Sequence, residues 1–200
     1  MEYYAHLQKD KKLKKVLGTP LPALTSRKNV SLSLMRSIMG QQLSVRVGEV
    51  LYSRFLTLCA HQNPTPKKVI TLKPEALRAI GLSGAKSTYI LNVAEFCLEH
   101  KISDRKLHPM SNEDIIALLT QIKGVGRWTV EMLLMFTLGR EDVFSLDDLG
   151  IQLAMSQLYG LDRADKKGFR EAVLKIAGKW QPYRTYACMH LWQFKDNAPA

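Results

Sequence analysis

The chain has 200 residues, 46% of them hydrophobic and 24% charged, which excludes a disordered or fibrous protein and allows a core of ordinary size. Its formal net charge of +11 and pI of about 9.6 indicate a polyanionic partner, which could be DNA, RNA or an anionic membrane surface. A basic pI that only keeps the protein soluble is the alternative.

Cysteine usage and the N-terminus indicate the compartment. Cys59, Cys97 and Cys188 are widely separated and lie in apolar stretches, which argues against a disulfide framework or a clustered metal site. No apolar run approaches the ~20 residues needed to span a bilayer, and residues 1–18 lack the apolar core of a signal peptide. We therefore expect an intracellular protein, in the cytoplasm or nucleoid if bacterial and in the nucleus if eukaryotic.

Helical periodicity runs through nearly the whole chain and no segment alternates with period two, so the predicted fold class is all-α. Three local signals mark helix starts. Ser111 and Asp114 resemble a capping box, the pair Asp147-Asp148 stands where an N-cap is wanted, and Pro182 suits a first turn. The predicted helices cover residues 2–16, 31–41, 44–60, 65–71, 74–80, 85–100, 112–121, 127–138, 148–159, 164–178 and 182–194.

The stretch QIKGVGRWTVEMLLMF, residues 121–136, places two glycines directly before an apolar helix. Glycine at 124 and 126 permits positive φ and a close approach of another backbone. Apolar side chains at Ile122 and Val125 would be buried under such a corner and leave amides at the helix N-terminus for a phosphate. A turn that only joins two helices is the alternative reading.

Several ordered segments together carry a family resemblance. They are IKGVGRWTVEMLLMF followed by VFSLDDLGIQLAM, RSIMGQQLSV, LRAIGLSGAKSTYI and WQPYRTYACMHLW, and they cover about residues 30 to 195. The chain resembles the helix-hairpin-helix (HhH-GPD) DNA glycosylase superfamily, in its 3-methyladenine DNA glycosylase II (AlkA-type) branch. It departs from the family pattern at Lys123, where proline is common, and at Ser145 and Leu146, where the aspartate loop lacks proline.

The resemblance implies a two-lobed all-α fold with the active site in the cleft between the lobes. We expect residues 30–143 to form the lobe that contains the helix-hairpin-helix, at about 112–138, and residues 1–29 with 144–200 to form the other. The additional N-terminal β-rich domain of bacterial AlkA is expected to be absent. No iron-sulfur cluster is expected, since nothing cysteine-rich follows Cys188.

The resemblance also implies how DNA is held while a nucleotide is extruded. Main-chain carbonyls of Thr120, Ile122 and Val125 would coordinate a monovalent cation, Na⁺ or K⁺, that bridges to a phosphate. Gln41 and Gln42 correspond to the region that enters the gap left by the extruded nucleotide, with Gln42 as the wedge. The expected backbone contacts are Lys123, Gly124, Val125, Gly126 and Arg127, with Lys86 and Arg184 as further cations. Surface solubility is the alternative role for Lys86, Arg127 and Arg184.

Asp148 is the implied catalytic residue. A carboxylate near the sugar stabilises the positive charge that develops as an N-glycosidic bond breaks, and it can orient the attacking water. Asp147 is the competing acid, to which the alignment assigns a supporting role. A pure helix-capping role for both acids is the alternative.

Trp128 stands where glycosylases that also cut the strand carry a nucleophilic lysine, so the resemblance implies a monofunctional enzyme that leaves an abasic site. Its indole suits positively charged bases such as 3-methyladenine and 7-methylguanine. Trp192 would form another pocket wall, and Met132 replaces a pocket tyrosine. Core packing is the alternative for all three side chains.

The predicted function is therefore hydrolysis of alkylated purines from double-stranded DNA in base excision repair, by a monomer that needs no catalytic cofactor and no membrane. Deaminated or etheno-adducted bases stay open as substrates. A noncatalytic helix-hairpin-helix DNA-binding module and a bifunctional glycosylase/lyase that uses another lysine, such as Lys123, are the alternatives.

Overall fold

The computed structural model describes residues 1–60 and 64–197, and within these ranges all regular secondary structure is helical, as predicted. Two 3₁₀ helices, Leu13–Lys15 and Gly178–Trp180, accompany the α-helices. The α-helices are α1 Glu2–Leu7, α2 Val30–Gly40, α3 Val45–Leu58, α4 Pro66–Val69, α5 Pro74–Ala79, α6 Gly84–Glu99, α7 Asp104–Leu107, α8 Asn112–Leu119, α9 Arg127–Phe136, α10 Leu149–Tyr159, α11 Lys166–Ala177 and α12 Arg184–Asn197. In the described ranges no helix is long and apolar enough to cross a membrane.

The chain divides into two compact units. Residues 26–138 form the first, which we call the central unit, and residues 1–25 with 139–200 form the second, which we call the terminal unit. The lobe boundaries expected from the sequence, at residues 30 and 143, stay a prediction.

Local capping chemistry explains where several helices begin. The Ser111 hydroxyl accepts a hydrogen bond from the Asp114 amide at 3.1 Å, which confirms Ser111 as the N-cap of α8. The Asp114 carboxylate accepts from the Ser111 hydroxyl at 2.6 Å, where a capping box would use the Ser111 amide. Asp148 is the N-cap of α10, as the acidic pair predicted. These caps fix the first turn of α8 in the central unit and the first turn of α10 in the terminal unit.

The prediction of one helix over residues 2–16 is wrong. The helix ends at Leu7, and the Asp10 carboxylate then accepts hydrogen bonds from the amides of Lys12 and Leu13 at 2.9 and 3.1 Å. An aspartate that bonds backbone amides two and three residues ahead competes with helical hydrogen bonding and turns the chain. Tyr159 and Trp180 also donate to this carboxylate, which anchors the turn in the terminal unit.

The start of the last helix and one short helix also differ from the prediction. The last helix begins at Arg184, so Pro182 precedes its first turn instead of standing in it. The short helix α7, Asp104–Leu107, was not predicted; Ser103 caps it through the Lys106 amide. A four-residue helix contains too few positions for a helical period to be recognised.

Apolar side chains from α2, α6, α8 and α9 fill the core of the central unit, among them the fully buried Leu34, Ile90 and Leu134. In the terminal unit, the Tyr3 ring stacks on the Tyr186 ring of α12 with centroids 3.8 Å apart. Because each unit has its own core, the elements that carry the candidate site residues are firmly placed within their unit.

His190 should make the protein less stable in mild acid. This α12 side chain is fully buried, neither ring nitrogen has a hydrogen-bond partner within the described ranges, and burial lowers its pKa below 6.5. Below pH 6.5 the unfolded chain therefore binds a proton at His190 that the native state does not bind. The stability present above pH 6.5 is lost as the pH falls toward the pKa of His190 in the folded protein, by at most about 1.4 kcal/mol per pH unit. We expect urea unfolding at pH 7.0 and 5.5 to show a smaller acid loss for His190→Gln than for the wild type. Equal losses would contradict this assignment.

Candidate functional site

Asp148 lies at the N-terminus of α10, where its carboxylate is hydrogen-bonded. Its Oδ1 accepts hydrogen bonds from the Ile151 amide at 2.8 Å and from the Trp192 indole Nε1 at 2.9 Å. The side chain is half-buried. A helix N-terminus favours negative charge, so the helix stabilises the carboxylate that the predicted chemistry requires. The capping role and the predicted catalytic role are therefore compatible in one residue.

The first turn of α10 leaves room for this arrangement at Gly150. A Cβ at this position would lie 3.1 Å from Asp148 Oδ1 and 3.1 Å from Trp192 Cδ1. Both contacts are tighter than ordinary van der Waals separation, so glycine allows the indole to reach the carboxylate. Trp192 is half-buried in α12 and acts here as a hydrogen-bond donor to the predicted catalytic acid.

The loop before Asp148 is fastened to the start of α12. Thr185 Oγ1 donates to the Arg140 carbonyl at 2.6 Å and accepts from the Val143 amide at 3.1 Å. Arg184 donates two hydrogen bonds to the Asp142 carboxylate, at 2.6 and 3.0 Å. Arg184 was expected to contact the DNA backbone. It instead binds Asp142 within the terminal unit and stabilises the loop that precedes Asp148.

Asp147 has a different environment from its neighbour. Its carboxylate is exposed and forms an ion pair with Arg170 of α11. An exposed ion pair of this kind contributes on the order of 0–1 kcal/mol to stability. The two acids therefore differ in burial and in partners, and only Asp148 is bonded to an aromatic side chain of the predicted pocket.

In the central unit, Gly124 marks the corner between α8 and α9. Its φ is +100°, and a Cβ there would lie 2.2 Å from Cγ of the Tyr89 ring, so glycine is required on both grounds. Gly126, the N-cap of α9, has φ −93° and open space around it. Of the two glycines expected to use their conformational freedom, only Gly124 does.

Hydrogen bonds close the corner internally. The Val125 amide donates to the Ile122 carbonyl at 2.9 Å, and the Lys123 carbonyl accepts from Asn92 Nδ2 at 3.2 Å. Ile122 and Val125 are buried, as predicted, and the Lys123 side chain is exposed. Thr120, the C-cap of α8, lies next to this turn in sequence.

Arg127 begins α9 and is bound by two acids. Its guanidinium donates to Glu113 of α8 at 3.0 and 3.3 Å and to the buried Glu131 carboxylate, one helical turn ahead, at 2.9 Å. Hydrogen bonding to Glu113 raises its pKa, burial lowers it, and the bond to Glu131 raises it again, with a net upward shift. Arg127 thus joins the first turns of α8 and α9, and its contact with DNA stays a prediction.

Trp128 and Met132 line a cavity of about 610 Å³ in the central unit. The Trp128 side chain is 41% exposed, which argues against core packing for this indole, whereas Met132 is half-buried. The Arg36 guanidinium stands 4.6 Å from the centre of the Tyr52 ring and forms a 2.6 Å ion pair with Glu49, and all three side chains line the same cavity. The cavity thus combines the aromatic faces of Trp128 and Tyr52 with one carboxylate, Glu49, and three cationic side chains, Arg27, Lys28 and Arg36.

Gln41 and Gln42 have separate environments. Gln41 Nε2 donates to Thr129 Oγ1 at 3.3 Å, so this side chain joins the end of α2 to α9. Gln42 is exposed and adopts a left-handed backbone conformation with φ +59°. Lys86, expected to contact the DNA backbone, donates from Nζ to the carbonyls of Met39 at 3.0 Å and Gln41 at 2.7 Å.

Comparison with known proteins identifies the family. The profile of the HhH-GPD superfamily base excision DNA repair proteins matches residues 35–179 of the chain. The chain belongs to this superfamily.

Named HhH-GPD relatives align over most of its length. DNA-3-methyladenine glycosylase 1 of Schizosaccharomyces pombe is 36% identical over 186 residues, which are 92% of this chain and 80% of the relative. The structure of the S. pombe 3-methyladenine DNA glycosylase Mag1 in complex with abasic DNA superposes with a TM-score of 0.84 and 32% identity, covering 99% of this chain and 98% of the other. A DNA-3-methyladenine glycosidase structure from Bacillus halodurans gives 0.83 and 32%, covering 98% and 89%.

Several contacts in this HhH-GPD chain could not be read from the sequence. Tyr89 against Gly124, Asn92 at the Lys123 carbonyl and Thr129 at Gln41 all join segments that are distant along the chain. The only local signal is spacing: Tyr89 and Asn92 are three residues apart on α6 and so share a face. Within the described ranges, no group of three or more His, Cys, Asp or Glu side chains is placed to hold a metal ion.

Proposed function

We propose that this protein is a monofunctional DNA glycosylase that releases alkylated purines from double-stranded DNA and leaves an abasic site. The observation that carries the proposal is the Asp148 carboxylate, whose Oδ1 accepts hydrogen bonds from the Ile151 amide and the Trp192 indole. Membership of a base excision DNA repair family and the relatives named DNA-3-methyladenine glycosylase support it. Glycosylases of the 3-methyladenine type need no catalytic cofactor.

The reaction breaks the bond between C1′ of the deoxyribose and the ring nitrogen of the base. The bonding electron pair leaves with the base, and positive charge develops on the sugar. The Asp148 carboxylate stabilises that charge and orients a water, whose oxygen bonds to C1′ while one of its protons is released to solvent. A base alkylated on a ring nitrogen already carries positive charge and leaves as a neutral molecule, so no strong general acid is required.

Trp128 recognises the damaged base and does not act as a nucleophile. An exposed indole attracts a cationic base by about 0.5–2 kcal/mol, and it has no amine that could form a Schiff base with the sugar. This absence of an amine at the first turn of α9 supports hydrolysis by water. Met132, in the same cavity, adds a polarisable surface without a ring, which is compatible with a broad range of alkylated bases.

The hairpin is the proposed DNA anchor. The amides near Gly124 and Gly126 meet phosphate oxygens, and the exposed Lys123 adds a positive charge. The carbonyls of Thr120, Ile122 and Val125 would hold Na⁺ or K⁺. Carbonyl oxygens are suitable ligands for such ions, and the closed turn from Ile122 to Val125 brings that short segment together. We further propose that the protein acts as an intracellular monomer.

One experiment tests the function directly. The purified protein is incubated with duplex DNA methylated by a methylating agent, and the released bases are identified by chromatography. We expect 3-methyladenine and 7-methylguanine with the strand left intact; DNA binding without any base release would favour the noncatalytic alternative. Trapping of an enzyme-DNA adduct by borohydride would favour a lyase that uses a lysine such as Lys123, and we expect no trapping.

Replacing Trp128 by alanine should weaken selection of charged bases. Loss of a cation–π contact of about 0.5–2 kcal/mol predicts a fall of about 2- to 30-fold in kcat/KM for 7-methylguanine. Because the side chain is exposed, stability should change by less than about 0.5 kcal/mol. Leu174→Ala, which removes another exposed apolar side chain, is the matched control and should leave kcat/KM unchanged. Equal activity of Trp128→Ala and the control would contradict the assigned role.

A further inference from the structure

The turn between α2 and α3 contains a glutamine where the backbone favours glycine. Gln42 has φ +59°, a left-handed conformation in which a Cβ is disfavoured, and its side chain is exposed. Neighbouring bonds close the turn: the Leu43 amide donates to the Gly40 carbonyl at 3.1 Å, and Ser44 caps α3. Asn29, Ala60 and Lys101 share this left-handed conformation, and what sets Gln42 apart is that long-range contacts hold the turn on which its exposed side chain stands.

Residues of two other helices, α6 and α9, hold this turn through long-range contacts. Lys86 Nζ, from α6, donates to the carbonyls of Met39 and Gln41 at 3.0 and 2.7 Å. The last carbonyls of a helix lack helical partners, and a cation is favoured there, so Lys86 is a side-chain cap for α2. The Gln41 side chain is bound to Thr129 of α9 at 3.3 Å. Gln41 therefore has an internal partner, whereas the Gln42 side chain is exposed together with those of Leu43 and Ser44.

The same face of α6 also supports the hairpin. Lys86, Tyr89 and Asn92 follow one another at intervals of three residues, and residues three apart share a helix face. Tyr89 packs against Gly124, and Asn92 donates to the Lys123 carbonyl at 3.2 Å. One helix face thus holds both the turn that carries Gln42 and the corner proposed to hold the DNA backbone.

We propose that Lys86 is a positioning residue: through the Gln41 carbonyl it fixes the turn so that Gln42 enters the duplex at the extruded nucleotide. The inference rests on the proposed function. It reassigns Lys86 from a phosphate contact to an internal support, since two of its three donors are directed at main-chain carbonyls. Burial also lowers the pKa of this ammonium group, as expected for a lysine that is partly removed from solvent.

A double-mutant cycle between Lys86 and Gln42 tests the proposal. Lys86→Met, Gln42→Ala and the double variant are compared in single-turnover release of 7-methylguanine from a defined duplex. Because misplacement of a working group by about 1 Å can cost up to about 100-fold, we expect Lys86→Met to slow release about tenfold. If Lys86 acts through Gln42, the double variant is no slower than Gln42→Ala alone. Multiplicative losses would overturn the proposal.

Lys68→Met is the matched control. Lys68 Nζ donates to the Cys59 carbonyl at 2.7 Å and so also caps a helix, α3, with a positive charge in the same unit. We expect wild-type release from it. The salt dependence of DNA binding separates the two roles of Lys86: a direct phosphate contact would reduce the slope of log K against log salt by about 0.9 in Lys86→Met, whereas the positioning role leaves it unchanged.

Two readouts need no base release. In Lys86→Met, we expect the Leu43 amide to exchange with solvent at least about tenfold faster than in Lys68→Met, because the turn is no longer held. With DNA that carries 2-aminopurine beside a stable abasic analogue, the increase in fluorescence on binding should be lost in Lys86→Met and in Gln42→Ala. Unchanged exchange and fluorescence would overturn the inference even in an active enzyme, and absence of release by the wild type would refute only the proposed function.

Discussion

Replacing Asp148 by asparagine is expected to slow the release of methylated bases by about 100- to 1000-fold, with folding and DNA binding retained. The magnitude is that of removing one pre-organised electrostatic group from a transition state that develops charge. Asparagine keeps a carbonyl oxygen that can accept from the Ile151 amide and the Trp192 indole, and it caps helices as well as aspartate does. The substitution therefore removes the charge and conserves the geometry.

The neighbouring acid provides the control for this experiment. Asp147→Asn makes the same chemical change one residue earlier, at an exposed carboxylate paired with Arg170. Its cost in stability should not exceed about 1 kcal/mol, and base release should stay near that of the wild type. Single-turnover rates, thermal unfolding and the affinity for an abasic-site duplex are measured for both variants. Full base release by Asp148→Asn, or a loss shared equally by both variants, would refute the assignment of Asp148.

A smaller change at Gly150 separates charge from geometry. A Cβ there would lie 3.1 Å from both Asp148 Oδ1 and Trp192 Cδ1, so Gly150→Ala must shift the carboxylate or the indole by a few tenths of an ångström. We expect release to fall by less than in Asp148→Asn, because the charge is conserved. Restoration of part of that activity by Trp192→Phe, which makes room and gives up one hydrogen bond, would show that the carboxylate position matters as well as its charge.

The helical class and the caps at Ser111 and Asp148 could be predicted from local sequence. The caps are local because a capping side chain bonds amides two or three residues away. The same kind of local bond made the first helix prediction wrong, since Asp10 turns the chain where lysine-rich periodicity suggested continuation. Asparagine, aspartate and serine can either start or stop a helix. The choice at Asp10 depends on Tyr159 and Trp180, which are distant in sequence.

The sequence could not predict the partners of two cationic residues at the candidate site. Those partners are main-chain carbonyls or an acid that is distant in sequence. Lys86 and Arg184 were expected to contact the DNA backbone, with surface solubility as the competing role. Lys86 binds carbonyls, which leave no trace in the side-chain pattern, and Arg184 binds Asp142. A sequence pattern therefore indicates which residues carry charge, but not whether that charge is directed at a ligand or at the protein itself.

Replacing Gly124 by alanine is expected to destabilise the protein by about 2–4 kcal/mol and to weaken salt-sensitive DNA binding. Two penalties combine at this residue: a φ of +100° that a Cβ opposes, and a Cβ position 2.2 Å from the Tyr89 ring. For a chain of this length we expect the Tm to fall by about 5–15 °C. Gly126→Ala, at φ −93° in open space, is the control and should change stability by less than about 1 kcal/mol.

A second substitution separates the two penalties at Gly124. Tyr89→Ala in the Gly124→Ala background removes the ring from the path of the new methyl group but leaves the backbone strain. We therefore expect the double variant to regain part of the DNA affinity that the single variant loses, although Tyr89→Ala alone gives up the contact of its ring with the corner. Equal loss of affinity in the single and double variants would refute the steric argument. A Gly124→Ala protein that melts and binds DNA like the wild type would show that the corner does not hold the strand, and the hairpin would then be a connector between α8 and α9.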